Sequence, residues 1–330
     1  EELARVHGYN NIPNNSLLMR AELGKATETV LDIDRVKDLL VDRGYQEAIT
    51  YSFVDEEIQQ AIAPVDALIK ITNPISSDLS VMRSTLWCGL LKAALHNLNR
   101  QQARVRMFET GLRFLNVDGE IKQQKMLSGL ILGSLYPKQW GENLKKVDFF
   151  DLKADVQALV SLAGTNAHQY AAAKHPALHP GQTTQILSEA GEKLGILGML
   201  HPSLEKQLGF ETPVFLFEVD QDLLLNKVIT RFKYLSKYPS VSRDLALIVK
   251  DAVSADEIIA SIKSSNEATI QEIVLFDLYR GKGIEADCKS VAVSITLQNF
   301  TQTLTDVEID AIFNNILQTL AKTIGAKLRD

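Results

Sequence analysis

Cysteine, surplus positive charge and long apolar runs are all scarce in this sequence, and each scarcity removes a class of function. Only Cys88 and Cys288 are present, far apart, and no CxxC or Cys/His cluster has zinc-ligand spacing. A disulfide-stapled scaffold and a structural zinc site are therefore excluded. Both thiols are expected to be packed residues in a reducing, cytoplasmic compartment. The balance of 35 Lys+Arg against 41 Asp+Glu, net −6, rules out polyanion binding by bulk charge, so any RNA contact has to be local. No run of about 20 apolar residues occurs, nor a basic stretch leading into an apolar one, so no membrane span or leader is expected. A P-loop and a GxSxG nucleophile turn are also missing.

What is present is globular material, 45% hydrophobic and 23% charged over 330 residues, enough for two cores. The first residue is Glu1 rather than Met, and the chain is expected to be a section of a longer polypeptide. Residues 1–15 read as a short helical end with an exit at Pro13. Val30, Ile33, Val36, Leu39 and Leu40 recur at helical spacing, with Gly44 as the stop. Helices are also expected at 84–99, with Ser84 as N-cap, and at 148–162. Strands are expected at 48–53, 68–72, from 105, and at 127–132, 184–187, 196–200 and 214–219. This irregular alternation predicts an α+β domain on a mixed or antiparallel sheet.

The register restarts after Lys237-Tyr238-Pro239. Strand 244–249, helix 255–263, strands 270–279 and 290–297, helix 306–324 and a last strand at 326–329 follow. That order is βαββαβ, the ferredoxin-like split βαβ. Thr305 before Asp306 and Glu308 is good chemistry for a helix start.

Ordered strings carry a family likeness along essentially the whole chain. NPISSDLSVMRSTLWCGLL (73–91), RMFETGLRF (106–114), HPGQTTQI (179–186) and GMLHP (198–202) resemble the catalytic-like module of bacterial phenylalanyl-tRNA synthetase β subunits. PSVSRDLALIV (239–249), LFDLYRG (275–281), KSVAVSITLQ (289–298) and TLTDVEID (303–310) resemble the ferredoxin-fold anticodon-binding domain of that family. The opening EELARVHGYNNIP resembles the end of the module before them. The resemblance implies a preceding-module tail at 1–15, a class II synthetase-like, non-catalytic domain at 16–235 and the anticodon domain at 236–330. It also implies an (αβ)₂ ligase whose α subunit uses ATP to charge tRNA(Phe). This region would supply the subunit interface and the anticodon reader, beside a second αβ pair.

An autonomous class II enzyme would need arginine forks on the ATP phosphates. The nearest string, Arg106 to Glu109, is RxxE rather than RxE, and PVFLFEVDQDLLLNK (213–227) has neither glycine nor arginine where the second fork belongs. No catalytic residue is assigned. His175 and His179 have i,i+4 spacing, but Pro176 and Pro180 break the helix that would let them share a metal. Arg83-Ser84 lacks the partners of a nucleophile. By resemblance, Glu1 and Glu2 are half of a Mg²⁺ carboxylate cluster whose aspartates lie upstream of this sequence.

Reading an unstacked base takes an aromatic platform and a polar group on the base edge. Alternation along Phe276-Asp277-Leu278-Tyr279-Arg280 puts Asp277 and Tyr279 on one face. A carboxylate only accepts hydrogen bonds, which suits the N1–H and N2–H₂ donors of guanine, the wobble base the resemblance implies. Ser290 is the third base contact by resemblance, and Arg280, Lys282 and Lys289 are candidate phosphate contacts. Residues 237–330 hold 10 Lys/Arg against 13 Asp/Glu, so this is no basic platform. An ACT-like ligand-sensing domain shares the βαββαβ order and is the alternative from another class. Arg243-Asp244 reads as an ion pair or sheet-edge contact.

Overall fold

The structure is a computed structural model that describes residues 1–330 except 17–18, 20–26, 65–67, 165–167, 189–190, 231, 233, 267 and 330. Its helices are α1 (Glu2–His7), α2 (Ile33–Asp42), α3 (Glu56–Ile62), α4 (Trp87–Leu98), α5 (Phe149–Ser161), α6 (Pro202–Leu208), α7 (Gln221–Leu224), α8 (Ala255–Ser265) and α9 (Asp306–Ile324). The first strands are β1 (Gln46–Glu47), β2 (Phe53–Val54), β3 (Val81–Met82), β4 (Val105–Val117), β5 (Glu120–Leu132) and β6 (Gln169–Ala172). They are followed by β7 (Leu178–Leu187), β8 (Lys193–Leu200), β9 (Val214–Asp220), β10 (Val241–Lys250), β11 (Ile270–Tyr279), β12 (Cys288–Leu297) and β13 (Lys327–Leu328). Two compact units result, 1–230 and 231–330.

In the first unit the main sheet has the order β1-β4-β5-β9-β8-β7-β6. It is antiparallel apart from the β1–β4 pair. Alternation along β9 shows how it is covered: Phe215, Phe217 and Val219 join α2 and α5 in one core, while Val214 and Leu216 join α3, α4 and α6 in another. A strand buried on both faces reads as an unbroken apolar run, and VFLF at 214–217 is one. The β4–β5 hairpin is far longer than the sequence suggested, pairing residue for residue from Val105↔Leu132 to Val117↔Glu120. Asp118 and Gly119 take φ of 55° and 88° there, the left-handed pair that a tight hairpin turn needs.

Three sequence-based expectations are corrected. Residues 48–52 are not strand, because the amide and hydroxyl of Thr50 are taken by the Glu109 carboxylate instead of a neighbouring backbone. At 68–72 only an isolated bridge, Lys70↔Val81, forms. Ser84 is not an N-cap: α4 starts after Leu86, and Ser84 is buried against Gln59. The start of α4 is instead satisfied by Glu218, which accepts from the Leu86 amide and the Thr85 hydroxyl.

The second unit is a sheet of order β11-β12-β10-β13 with α8 and α9 on one face, the expected ferredoxin-like arrangement. Both helices start with capping boxes, Ser254 with Glu257 and Thr305 with Glu308. No helix among the described residues is long and apolar enough to cross a membrane.

Arg83 and Glu109 form a buried ion pair at 2.7 Å, each side chain 3% exposed. The guanidinium crosses β4 where Gly111 leaves room, since a Cβ there would stand 2.4 Å from Arg83 Nη2. Removing one member strands a buried charge. Arg83→Ala is therefore expected to cost about 3–5 kcal/mol in urea unfolding of the chain. A loss below about 1 kcal/mol would mean that Glu109 is solvated without its partner.

Candidate nucleic-acid interface

The second sheet has one open face, and cross-strand register shows which side chains line it. Val291, Val293, Ile295 and Leu297 of β12 are buried under the helices. The intervening Ser290, Ala292, Ser294 and Thr296 therefore point the other way. Their partners share that face: Ser242, Asp244 and Ala246 on β10, and Glu272, Val274, Asp277 and Tyr279 on β11. A bulge between Leu275 and Asp277 lets Asp277 pair with Ala292 and Tyr279 with Ser290. The centre of the face is a shallow floor of serine and alanine, joined by Ser242–Ser294 and Thr296–Ser242 hydroxyl contacts.

The predicted base contacts fall together at one end of this floor. Asp277 is exposed and has no partner among the described residues. The Tyr279 hydroxyl donates to the Lys282 carbonyl at 3.3 Å, over Gly281, where a Cβ would lie 2.9 Å from that hydroxyl. Ser290 is buried on the pairing strand. The predicted phosphate contacts do not gather with them. Arg280 pairs with Asp251 at 3.0 Å, and the Lys289 ammonium donates to the carbonyls of Asp251 and Val253. Lys289 lies opposite buried Val249, on the helix side of the sheet. Lys282 remains exposed in the turn after β11.

Arg329 was not singled out in the sequence. Its amide donates to Ala246 O, continuing the edge beyond β13. Its guanidinium lies 5.2 Å from the Tyr279 ring centroid, and Nη1 donates to Ser290 Oγ at 3.4 Å. No local pattern marks it, because only the folded sheet brings the last strand across from Tyr279. Arg243 faces the helices, paired with Asp310 at 2.6 Å over the Phe313 ring, so it belongs to the packed side.

The first sheet treats its charges differently. Arg106 and Glu109 are three residues apart on β4 and so face opposite sides. Arg106 donates to Asp155, which also takes Arg43 and Tyr45, while Glu109 holds Arg83 and Thr50. Neither can converge on a phosphate. Burial raises the pKa of Tyr45, with Asp155 adding to it. A polar cleft beside α4 is lined by Arg113, Gln124, His175, Glu218 and Asp220, and burial raises the Glu218 carboxyl. Arg113 and Gln124 close much of it, bonding Glu218 and Asp220. His175 and His179 do not meet over a metal. Each Nδ1 accepts the backbone N–H two residues on, from Ala177 and Gly181. Among the described residues no group of three metal-ligating side chains forms. Glu1 and Glu2 are exposed, and Glu2 is engaged by Arg5.

The chain is thus an α+β scaffold followed by a ferredoxin-like sheet open on one face, where an aromatic, a carboxylate and a hydroxyl are aligned. Two family models match, "Phenylalanyl tRNA synthetase beta chain CLM domain" over residues 12–221 and "Ferredoxin-fold anticodon binding domain" over 236–329. The chain belongs to the phenylalanyl-tRNA synthetase β-chain family. It is 49% identical to the phenylalanine–tRNA ligase β subunit of Methylococcus capsulatus, over all of this chain and 42% of that one. It is 44% identical to the β subunit of Pseudomonas putida, with the same coverage. The chain thus spans less than half the length of these relatives. A solved pyrrolysyl-tRNA synthetase from Desulfitobacterium hafniense aligns at TM-score 0.45 and 13% identity over 58% of this chain and 66% of that one, too slight a likeness to carry an argument.

His175 supplies a pH test of the first unit. Burial, helped by Lys193, pushes its imidazole down to about 4 from 6.5. The neutral form is favoured by folding, so its contribution is intact above about pH 6.5 and is lost as pH falls toward 4. Glu218, raised by burial, has the opposite sign: its contribution is lost as pH rises through its folded value. His175→Asn keeps an acceptor for the Ala177 amide and does not titrate. It is expected to flatten the fall of the urea midpoint between pH 6.5 and 4, and an unchanged slope would contradict burial as the cause.

Proposed function

We propose that this chain is the part of a phenylalanine–tRNA ligase β subunit that docks on the α subunit and reads the anticodon of tRNA(Phe). The supporting observation is the alignment of Tyr279, Asp277 and Ser290 on the uncovered face of the second sheet. In this reading the wobble guanine stacks on Tyr279 while Asp277 accepts from N1–H and N2–H₂. Ser290 lends a hydroxyl, and Arg329 is the cation beside the slot. Lys282 is the phosphate contact best placed of the three read from sequence. Arg280 and Lys289 serve the turn at Asp251–Val253.

The division into a tail at 1–15, a catalytic-like domain at 16–235 and the anticodon domain at 236–330 goes with this reading. The first sheet acts as a scaffold, because helices cover both of its faces and its buried charges are neutralised within the chain. ATP chemistry belongs to the α subunit, in an (αβ)₂ cytoplasmic assembly. Glu1 and Glu2 offer oxygen ligands suited to Mg²⁺. Two glutamates, one held by Arg5, do not complete a site, and no step is assigned to a metal here.

The test is fluorescence anisotropy of the full chain with an anticodon stem-loop carrying guanine or adenine at the wobble position. Wild type should prefer guanine by about tenfold or more, as a good base-edge contact gives. Asp277→Asn should remove most of that preference, and Tyr279→Ala should weaken both RNAs by roughly tenfold. Equal affinity for the two RNAs in wild type would discard base reading and leave the chain as a scaffold.

A further inference from the structure

Just before β10 the second unit carries large apolar side chains in water. Phe232, Tyr234 and Leu235 are 80%, 83% and 89% exposed. The Phe232 and Tyr234 rings pack edge to face, 5.2 Å apart at 78°. The local sequence charge is one-sided: residues 231–242 contain three Lys/Arg and no Asp/Glu, in a chain of net −6. Aromatics interleaved with cations and free of acids form the composition that tracks a nucleic-acid backbone. A partner protein with an apolar groove would account for the aromatics but not for the lack of acids.

Ser236 and Tyr238 are held in place relative to the open face. Ser236 Oγ donates to Asn299 O at 2.6 Å, and Gln298 Nε2 donates to Tyr238 O at 2.7 Å. These bonds tie them beyond the Leu297 end of β12, whereas Ser290 and Tyr279 stand near the other end. Seven residues of strand separate Ser290 from Leu297, roughly 23 Å at about 3.3 Å each. The segment therefore cannot share a base with Tyr279. An RNA strand seated at Tyr279 and following the Ser294 and Thr296 column, between the exposed Asp244 and Glu272 on either side, would bring sugar and phosphate to it.

We propose that Phe232 and Tyr234–Tyr238 form a second RNA contact of this chain, independent of sequence. Lys237 meets a phosphate, and the Phe232–Tyr234 pair offers a surface for a base or ribose. The contact rests on the reading of the open face as an RNA site, but it makes a separate prediction: it supplies affinity without discrimination.

The test is the same anisotropy measurement on the full chain, over a series of potassium chloride concentrations, with wobble-guanine and wobble-adenine stem-loops. Lys237→Glu is expected to weaken both RNAs alike and to lower the slope of log affinity against log salt by about 1. Phe232→Ser with Tyr234→Ser, at exposed positions that leave the core alone, is expected to weaken both by roughly tenfold. The guanine-to-adenine ratio should stay at its wild-type value in each variant. Unchanged affinity and slope in these variants would overturn the proposal, as would a loss confined to the guanine RNA. If wild type binds both RNAs equally and the variants weaken both, base reading fails while this contact stands.

Discussion

A β-strand sends successive side chains to opposite faces, and the number of covered faces decides what each sheet of this chain can do. The first sheet carries helices on both sides, so the carboxylates buried in it meet partners within the chain. Asp155 collects Arg43, Tyr45 and Arg106, Glu109 collects Arg83 and Thr50, and Glu218 collects Thr85, Leu86 and Arg113. The second sheet carries helices on one side only. Its other face can leave Asp277 without a partner among the described residues, because water solvates it.

The same parity separates a substrate-binding strand from a structural one. Two residues that must face one ligand have to be an even number of positions apart on a regular strand. At a spacing of three, Arg106 and Glu109 are sent into different cores, and each meets a counter-charge there. Such pairs are poor evidence for stability, since desolvation offsets much of their attraction. They are better understood as the condition under which charged side chains can exist inside a sheet covered twice. Gly111 belongs to that condition, because the Arg83 guanidinium occupies the space a side chain would need.

Much of this was legible in the sequence, for identifiable reasons. Helix α9 and strand β11 have the limits that pattern alone assigns, because Thr305 caps the one and period-2 alternation defines the other. Asp277 and Tyr279 share a face as alternation requires, although the bulge at Phe276 alters the pairing beneath them. What escaped depended on contacts distant in sequence. Residues 48–52 look like strand until Glu109 takes the Thr50 amide, and α4 lacks a side-chain cap until Glu218 arrives from β9. Lys289 looks like a phosphate contact until register places it opposite Val249. Arg329 has no local signal, since its meaning comes from a sheet in which two strands lie between the chain end and the strand of Tyr279.

On the proposed reading, the open face also accounts for how a unit with more acids than bases meets RNA. Four of its acids are committed elsewhere: Glu257 and Glu308 close helix starts, Asp310 holds Arg243, and Asp251 holds Arg280, while Asp244, Glu272 and Asp277 stand on the open face. Net charge sums groups that no ligand on the sheet would meet, and at a Debye length of about 8 Å a phosphate responds mainly to its neighbours. What remains near Tyr279 is one carboxylate, matched to a donor edge, and one guanidinium over the ring. In that reading, selectivity from so few groups leaves backbone affinity to another place, for which we have proposed the acid-free segment ahead of β10.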